Sequence, residues 1–285
     1  MEPFEQAIND IDKGDIAHLE QLITDNPGLL GERFHTPGQG YFERPYLLWF
    51  VANNPIRNEG MATNIVAITR LLIQLARQQQ VTNLKEQLDY TLALVVSGRI
   101  PKEHGVQLPM ADLLISEGAT PRGAVGALAH NNLDAARFLV EKGEPVDLVT
   151  AICLDLPPAK ELAAHSTAAE KTVALIGASF FGKVEAIRFL LDLGTDVNAY
   201  ADAKTSKGFH SHATALHQAV FSKSIEAVKM LLEAGARPDL KDRIYDSTPL
   251  GWAEYALTGE ENDPGTKNKL MAIADYLKNQ GNGKN

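Results

Sequence analysis

The chain is predicted to be all-α, a solenoid of stacked helix-turn-helix repeats, on three observations. Two segments, IGASFFGKVEAIRFLLDLGTDVN (Ile176 to Asn198) and HQAVFSKSIEAVKMLLEAGARPD (His217 to Asp239), align in register without a gap. Apolar residues in them recur at helical spacing, as at Ile225, Val228, Leu231 and Leu232, so each carries one apolar face. A glycine, Gly194 or Gly235, follows the last apolar turn, where a helix is closed by a left-handed residue. Such a unit buries its apolar face only against a neighbour of the same kind, so the array folds rather than the single unit.

Composition agrees. A chain of 285 residues that is 45% apolar has ample material for a buried core and is not a disordered chain. No segment approaches the roughly 18 to 20 uninterrupted apolar residues of a membrane span. The opening MEPFEQAIND lacks a basic stretch followed by an apolar one, so a cytoplasmic location is expected. The one cysteine, Cys153 in AICLDL, cannot form an intramolecular disulfide and reads as a small buried apolar residue. A net charge of −9 and a pI near 5.4 argue against nucleic acid as the partner, because phosphate neutralisation needs clustered lysine and arginine. The acidity suits a protein partner, and a basic one in particular.

The elements follow in order. EQAINDIDKGDIAHLEQLI makes a divergent opening pair, and Gly28 to Arg44, with its glycines, proline and aromatics, reads as a long hairpin loop. Tyr46 to Ala52 and Asn64 to Arg77 form the next pair around the polar NNPIRNEG. Leu88 to Ser97 and Gln107 to Glu117 follow, interrupted by GRIPKEHG. GALAHNNLDAARFLVEKGEPVD is a third copy of the repeat, with Ala127, Leu139 and Gly143 in the matching places. Asp147 to Leu154 and Lys160 to His165 make a short pair before the two clear units. The closing helix is LMAIADYLKNQG, with GNGKN as a frayed tail. The expected count is about seven pairs.

These residues carry a resemblance. ATALHQAVFSKSIEAVKMLLEAGARPD resembles an ankyrin repeat: Thr214, Leu216, His217 and Ala219 stand on the Thr-Pro-Leu-His-x-Ala signature, with Ala215 replacing the proline. STPLGWA keeps Thr248, Pro249, Leu250 and Ala253 but has Gly251 where histidine is usual, and TDVNA is similar to the repeat ending. The resemblance covers residues 124–281, is degenerate over 1–123, and leaves 282–285 as a tail. It implies a single ankyrin-type domain of helix pairs joined by hairpin loops, a monomer without cofactors. It also implies a non-enzymatic module that binds another protein through its concave groove and loop tips. The alternatives kept open are an inhibitor or immunity protein for a basic toxin, and an enzyme with a site in the divergent N-terminal half.

One stretch points elsewhere. GASFFGKV, Gly177 to Val184, nearly has the spacing of a phosphate-binding loop, but Val184 stands where a serine or threonine would hold magnesium. The upstream ELAAHSTAAEKT is alanine-rich rather than β-branched. In the repeat alignment Gly177 falls inside a first helix, Gly182 is the turn glycine and Lys183 opens the second helix. A nucleotide site is therefore rejected.

Other chemistry is equally thin. His210, His212 and His217 form H-x-H-x₄-H, which could ligate zinc or nickel, but His217 belongs to the signature, where the family's histidine bonds backbone in the adjoining loop. That leaves two ligands, and no metal is expected. Glu260 and Glu261 read as a solvated charge run, and no nucleophile elbow is present.

The candidate site is aromatic. Residues after the small pair of the first helix face the groove in this family, and here they are Phe180 and Phe181, then Phe221, then Tyr255, with His130 one unit earlier. A stripe of such rings would supply interface anchors. Ala178 and Ala219 lie 41 positions apart (219 − 178), against about 33 in the family's unit. AYADAKTSKGFHSH therefore holds an insertion of about eight residues in a loop between units. His210 and His212 in it, and Tyr245 in the next loop, join the candidate contact set. A second insertion, TGEENDPGTKNK, is expected to lengthen the turn between the last two helices.

Overall fold

The computed structural model describes residues 2–35, 41–259 and 263–282, and among them there is helix and turn but no strand. The chain divides into two compact units, Met1–Pro145 and Val146–Asn285. The division falls two residues before the end of the third copy of the repeat, 22 residues beyond the 123/124 border where the clear repeats begin (145 − 123).

The N-terminal unit holds α1 (Pro3–Lys13), α2 (Ile16–Asp25), α3 (Ile65–Gln78), α4 (Leu84–Ser97), α5 (Arg99–Glu103), α6 (Gln107–Ser116), α7 (Ala124–Ala129) and α8 (Leu133–Glu141). It also has 3₁₀ turns at Pro27–Leu30 and Leu47–Ala52. The pairs are α1 with α2, Leu47–Ala52 with α3, α4 with α6, and α7 with α8. First members pack on first members (α1 on the 3₁₀ turn, that turn on α4, α4 on α7), and second members run α2, α3, α6, α8. Asp15 starts α2 by accepting the His18 N–H at 3.1 Å. The segment read as LLWFVA is a 3₁₀ turn with all six residues buried.

GRIPKEHG, which interrupts the pair of α4 and α6, contains a short helix, α5. Gly98 is extended, Pro101 sits in the first turn of α5 where no N–H is needed, and Arg99 pairs with Glu103 at 2.9 Å across one helical turn. Ile100 is fully buried, and Gln107 Nε2 donates to the carbonyls of Val95, Val96 and Gly98 at the end of α4. Within the expected loop at Gly28 to Arg44, Pro27–Leu30 is the 3₁₀ turn and Phe34 N–H bonds the Pro45 carbonyl at 2.8 Å. Residues 36–40 of that loop lie outside the described residues.

The C-terminal unit holds α9 (Leu148–Leu154), α10 (Ala159–His165), α11 (Ala168–Phe180), α12 (Val184–Asp192), α13 (Ala215–Phe221), α14 (Ile225–Glu233), α15 (Pro249–Leu257) and α16 (Pro264–Asn282). The first helices α9, α11, α13 and α15 pack in succession, as do the second helices α12, α14 and α16. Each unit thus contributes four pairs among the described residues, one pair more in total than expected. Starts are fixed by side chains that take orphan amides: Asp147 from Thr150, Thr167 from Glu170 in a reciprocal capping box, Ser224 from Ala227 and Thr248 from Gly251. Between the helix rows lies a core of small and branched residues, including Ala178, Ala219, Leu190 and Leu231, each with no exposed surface. The alanines of the inner helices let neighbouring backbones approach.

Gly177 shows how close that approach is. A Cβ built on it would lie 2.8 Å from Cys153 Sγ and 2.9 Å from Val149 Cγ2, both on α9. The glycine of the apparent phosphate loop is therefore a helix-packing glycine in the interior of α11. Gly182, at φ +63°, makes the turn into α12, and Lys183 pairs with the Asp155 carboxylate.

The expected second insertion is shorter than read, because Pro264 to Lys269 already belong to α16, with proline at its start. Of the rest, Thr258, Gly259 and Asp263 are described, and they lie outside the helices. Glu260 and Glu261 lie outside the described residues, as do residues 283–285 of the tail.

Candidate partner-binding site

The 199–213 insertion folds back onto its own unit. Ala201, Ser206, Phe209 and Ala213 are buried, Phe209 completely, with its ring 3.6 Å from where a Gly177 Cβ would stand. Asp202 folds the start of the loop by accepting the Lys204 and Thr205 amides at 3.1 and 2.8 Å. Burying Phe209 makes this loop a fixed part of the inner-helix face.

On that base a ladder of rings is built. Phe180 at the end of α11 is buried, with Phe221 of α13 stacked on it at 4.9 Å and 9°. Phe181 meets Phe180 edge-on at 4.9 Å, and His210 lies against Phe180 at 4.4 Å. His210 leads to His212 at 6.1 Å, and His212 to Trp252 of α15 at 5.9 Å. Such pairs add about 0.5 to 1.5 kcal/mol each beyond area burial.

The next loop is held by one carboxylate. Asp242, buried, accepts the amides of Ile244 (2.9 Å), Tyr245 (2.7 Å) and Ser247 (3.2 Å) and the Trp252 indole N–H (2.9 Å). Burial alone would raise its pKa; the four donors outweigh that and hold it down at about 2. The same loop is stitched to the insertion: Arg243 N–H donates to the His212 carbonyl at 2.8 Å, Tyr200 hydroxyl to the Lys241 carbonyl at 2.6 Å, and the Arg243 guanidinium lies 4.2 Å over the Tyr200 ring.

His217 is committed to structure. Its Nε2 donates to the Ser247 carbonyl at 3.0 Å, so that Nδ1 is the acceptor for Thr214, whose hydroxyl lies at 2.8 Å. Neither nitrogen has a lone pair left for a metal. Burial pushes the His217 imidazole below its ordinary pKa, and does the same to His212. Among the described residues no group of three or more His, Cys, Asp or Glu is placed to hold a metal ion. Burial also raises the Cys153 thiol, the opposite of what a nucleophile requires.

The sequence-predicted contact residues separate by exposure. Phe180 is 6% exposed and belongs to the core, and Phe181, His210 and His212 are half-buried. Phe221, Tyr245 and Tyr255 are 53%, 72% and 81% exposed, and His130, in the N-terminal unit, is exposed as well. Ile244, also exposed, joins Tyr245 at the loop tip. Phe209, Asp242 and Trp252 organise this face without having been singled out. Asp242 and Trp252 stand ten positions apart with no motif between them, whereas an aromatic inside a polar insertion was a usable sign for Phe209.

In the N-terminal half the titratable groups pair off. His18 Nδ1 meets Asp10 at 2.7 Å, Arg33 meets Glu86, and Arg57 bonds Asp12 and the Phe50 carbonyl. The crevice beside Arg57 holds about 10 Å³, room for one water.

A family model described as ankyrin repeats, three copies, matches residues 103–242. The chain is an ankyrin-repeat protein. The match takes in α6 and stops before α15. A stretch of 65 residues is 42% identical to part of the E3 ubiquitin-protein ligase hecd-1 of Caenorhabditis elegans; it is 23% of this chain and 2% of that protein, so the chain spans a small fraction of that relative. The crystal structure of the ankyrin repeat domain of Bcl-3 is similar at 18% identity and a TM-score of 0.31, covering 79% of this chain and 97% of that one. Ankyrin repeats are in general protein-interaction modules and non-enzymatic. No helix among the described residues is long and apolar enough to cross a membrane.

Proposed function

We propose that this chain binds another protein through the inner-helix face of its C-terminal unit, with Phe221 and Tyr255 as anchors and the Ile244–Tyr245 tip as a flanking contact. The observation that supports this most is positional. Phe221 and Tyr255 each lie seven residues after the capping threonine of their helix, Thr214 or Thr248, and both are exposed. Exposed aromatics at one position of adjacent packed helices make a shared apolar surface, and aromatics dominate interface energies at about 2 kcal/mol or more on truncation. The reading of His210 and His212 as direct contacts gives way to one in which they support the ladder.

The test is capture from the native cell on immobilised wild-type chain and on a Phe221→Ala, Tyr255→Ala double variant. The expected result is loss of the captured proteins with a melting temperature lowered by no more than about 5 °C, the cost of the Phe180–Phe221 stack that the variant gives up. Equal capture by both chains would refute the assignment of the face.

A further inference from the structure

Net acidity suggests a basic partner, but the distribution of charge on this face says the reverse. Helices α9 and α13 carry no charged side chain, and the one charge on α15, Glu254, is paired with Lys278 at 3.0 Å. The nearby loop carboxylates are already engaged: Asp246 with Lys241 at 2.7 Å, Asp155 with Lys183, Asp242 with its four donors. Two cations beside the ladder are not. Lys223 Nζ lies 5.9 Å over the Phe221 ring, and the Arg243 guanidinium rests on Tyr200. Neither has a carboxylate within salt-bridge distance among the described residues. They also mark the two ends of the ladder, since Phe221, Phe180, His210 and His212 touch in succession and the His212 carbonyl takes the Arg243 amide.

Resting on the docking role proposed above, we infer that the partner segment is acidic: a peptide with apolar or aromatic side chains for Phe221 and Tyr255, flanked by carboxylates that meet Lys223 and Arg243. A basic segment would bring its charges against two unscreened cations. An acidic one converts them into charge-assisted hydrogen bonds, and the planar Arg243 fork, already oriented by Tyr200, suits a bidentate carboxylate. A single-stranded nucleic acid also combines bases for stacking with anionic charge, but two cations on a chain of net charge −9 are too few to track a phosphate backbone.

A random peptide library displayed on phage, selected against the full wild-type chain, reads the answer directly. Recovered sequences are expected to combine Asp or Glu with Leu, Phe, Trp or Tyr. Synthetic copies should bind at least tenfold more weakly to the Lys223→Glu, Arg243→Glu variant and lose affinity as salt is raised. Recovery of neutral or basic apolar peptides that need Phe221 and Tyr255 but ignore the charge reversal would sink the acidic assignment and leave the docking face standing. Peptides indifferent to all four residues, or no binders at all, would sink both. Tighter binding of a fluorescein-labelled oligothymidine than of any selected peptide, lost on charge reversal, would replace the peptide with nucleic acid.

Discussion

Gly177→Ala tests the closest packing in the structure and the rejection of the phosphate loop together. Within a helix the substitution is worth about 1 kcal/mol of stabilisation through backbone entropy. Against it stands the added methyl, 2.8 Å from Cys153 Sγ and 2.9 Å from Val149 Cγ2, both buried on α9 and unable to move into solvent. Overpacking of this kind costs about 1 to 3 kcal/mol, so the net effect is a loss of up to about 2 kcal/mol. The two terms separate in a cycle. In a Val149→Ala, Cys153→Ala background the space opens and only the propensity term survives, so the same substitution should stabilise by about 1 kcal/mol. The assay is urea unfolding followed by Trp252 fluorescence in a Trp49→Phe chain, because each unit contains one tryptophan. An equal effect of Gly177→Ala in both backgrounds would mean that α9 and α11 do not approach in this way.

Two further outcomes concern Asp242 and His217. Asp242→Asn removes the charge that three amides and an indole are arranged around, and should lower stability at neutral pH by about 1.5 to 3 kcal/mol. Because the folded carboxyl titrates at about 2 and an unfolded aspartate near roughly 3.9, the wild-type contribution is complete above pH ~4 and fades as pH falls toward 2; the variant should lack that acid limb in a pH series of melts. His217, whose folded pKa is depressed, is protonated first in the unfolded chain, so its contribution is full above roughly pH 6.5 and declines below it. His217→Gln should flatten the stability slope just below that pH, and an unchanged slope would assign the titration elsewhere.

What the sequence disclosed was whatever the repeat forces into register. The pairing of Ile176–Asn198 with His217–Asp239 located the end of α11 and the helices α12 to α14 within a residue or two, because apolar period and glycine closure agreed there, while the eight residues by which α11 extends before Ile176 lay outside the aligned segment. His217 was legible as structural because the signature histidine sits where the Ser247 carbonyl of the next loop arrives. Elements whose local signals conflict were not legible. GRIPKEHG, with its proline and glycines, read only as an interruption, while the burial of Ile100 and the Arg99–Glu103 pair, which decide for helix, emerge only once α4 and α6 are adjacent. Pro264 was read as part of a turn, although a proline at a helix start is equally ordinary.

Net charge is a poor guide to the partner for a different reason. Net charge sums over a surface of which a partner sees one face, and the sum is blind to which carboxylates are already occupied. Asp242, Asp246, Asp155 and Glu254 all count toward −9, yet each is engaged by donors of its own unit, whereas Lys223 and Arg243 meet no carboxylate within salt-bridge distance among the described residues. Pairing information of that kind needs coordinates.

Exposure of the aromatic stripe was undetermined by sequence on physical grounds as well. Phe180, Phe221 and Tyr255 hold one repeat position, so register alone assigns them one environment, yet they are 6%, 53% and 81% exposed. The difference lies in what each receives from its surroundings. Phe180 is covered on one side by Phe221 from the following pair and on another by His210 from the insertion. Phe221 gives one face to Phe180 and has Lys223 alongside, and no ring lies on Tyr255 among the described residues. Coverage is thus a property of neighbours supplied by sequence tens of residues away, and the insertion that breaks the period helps convert the first ring into core while the later two remain exposed.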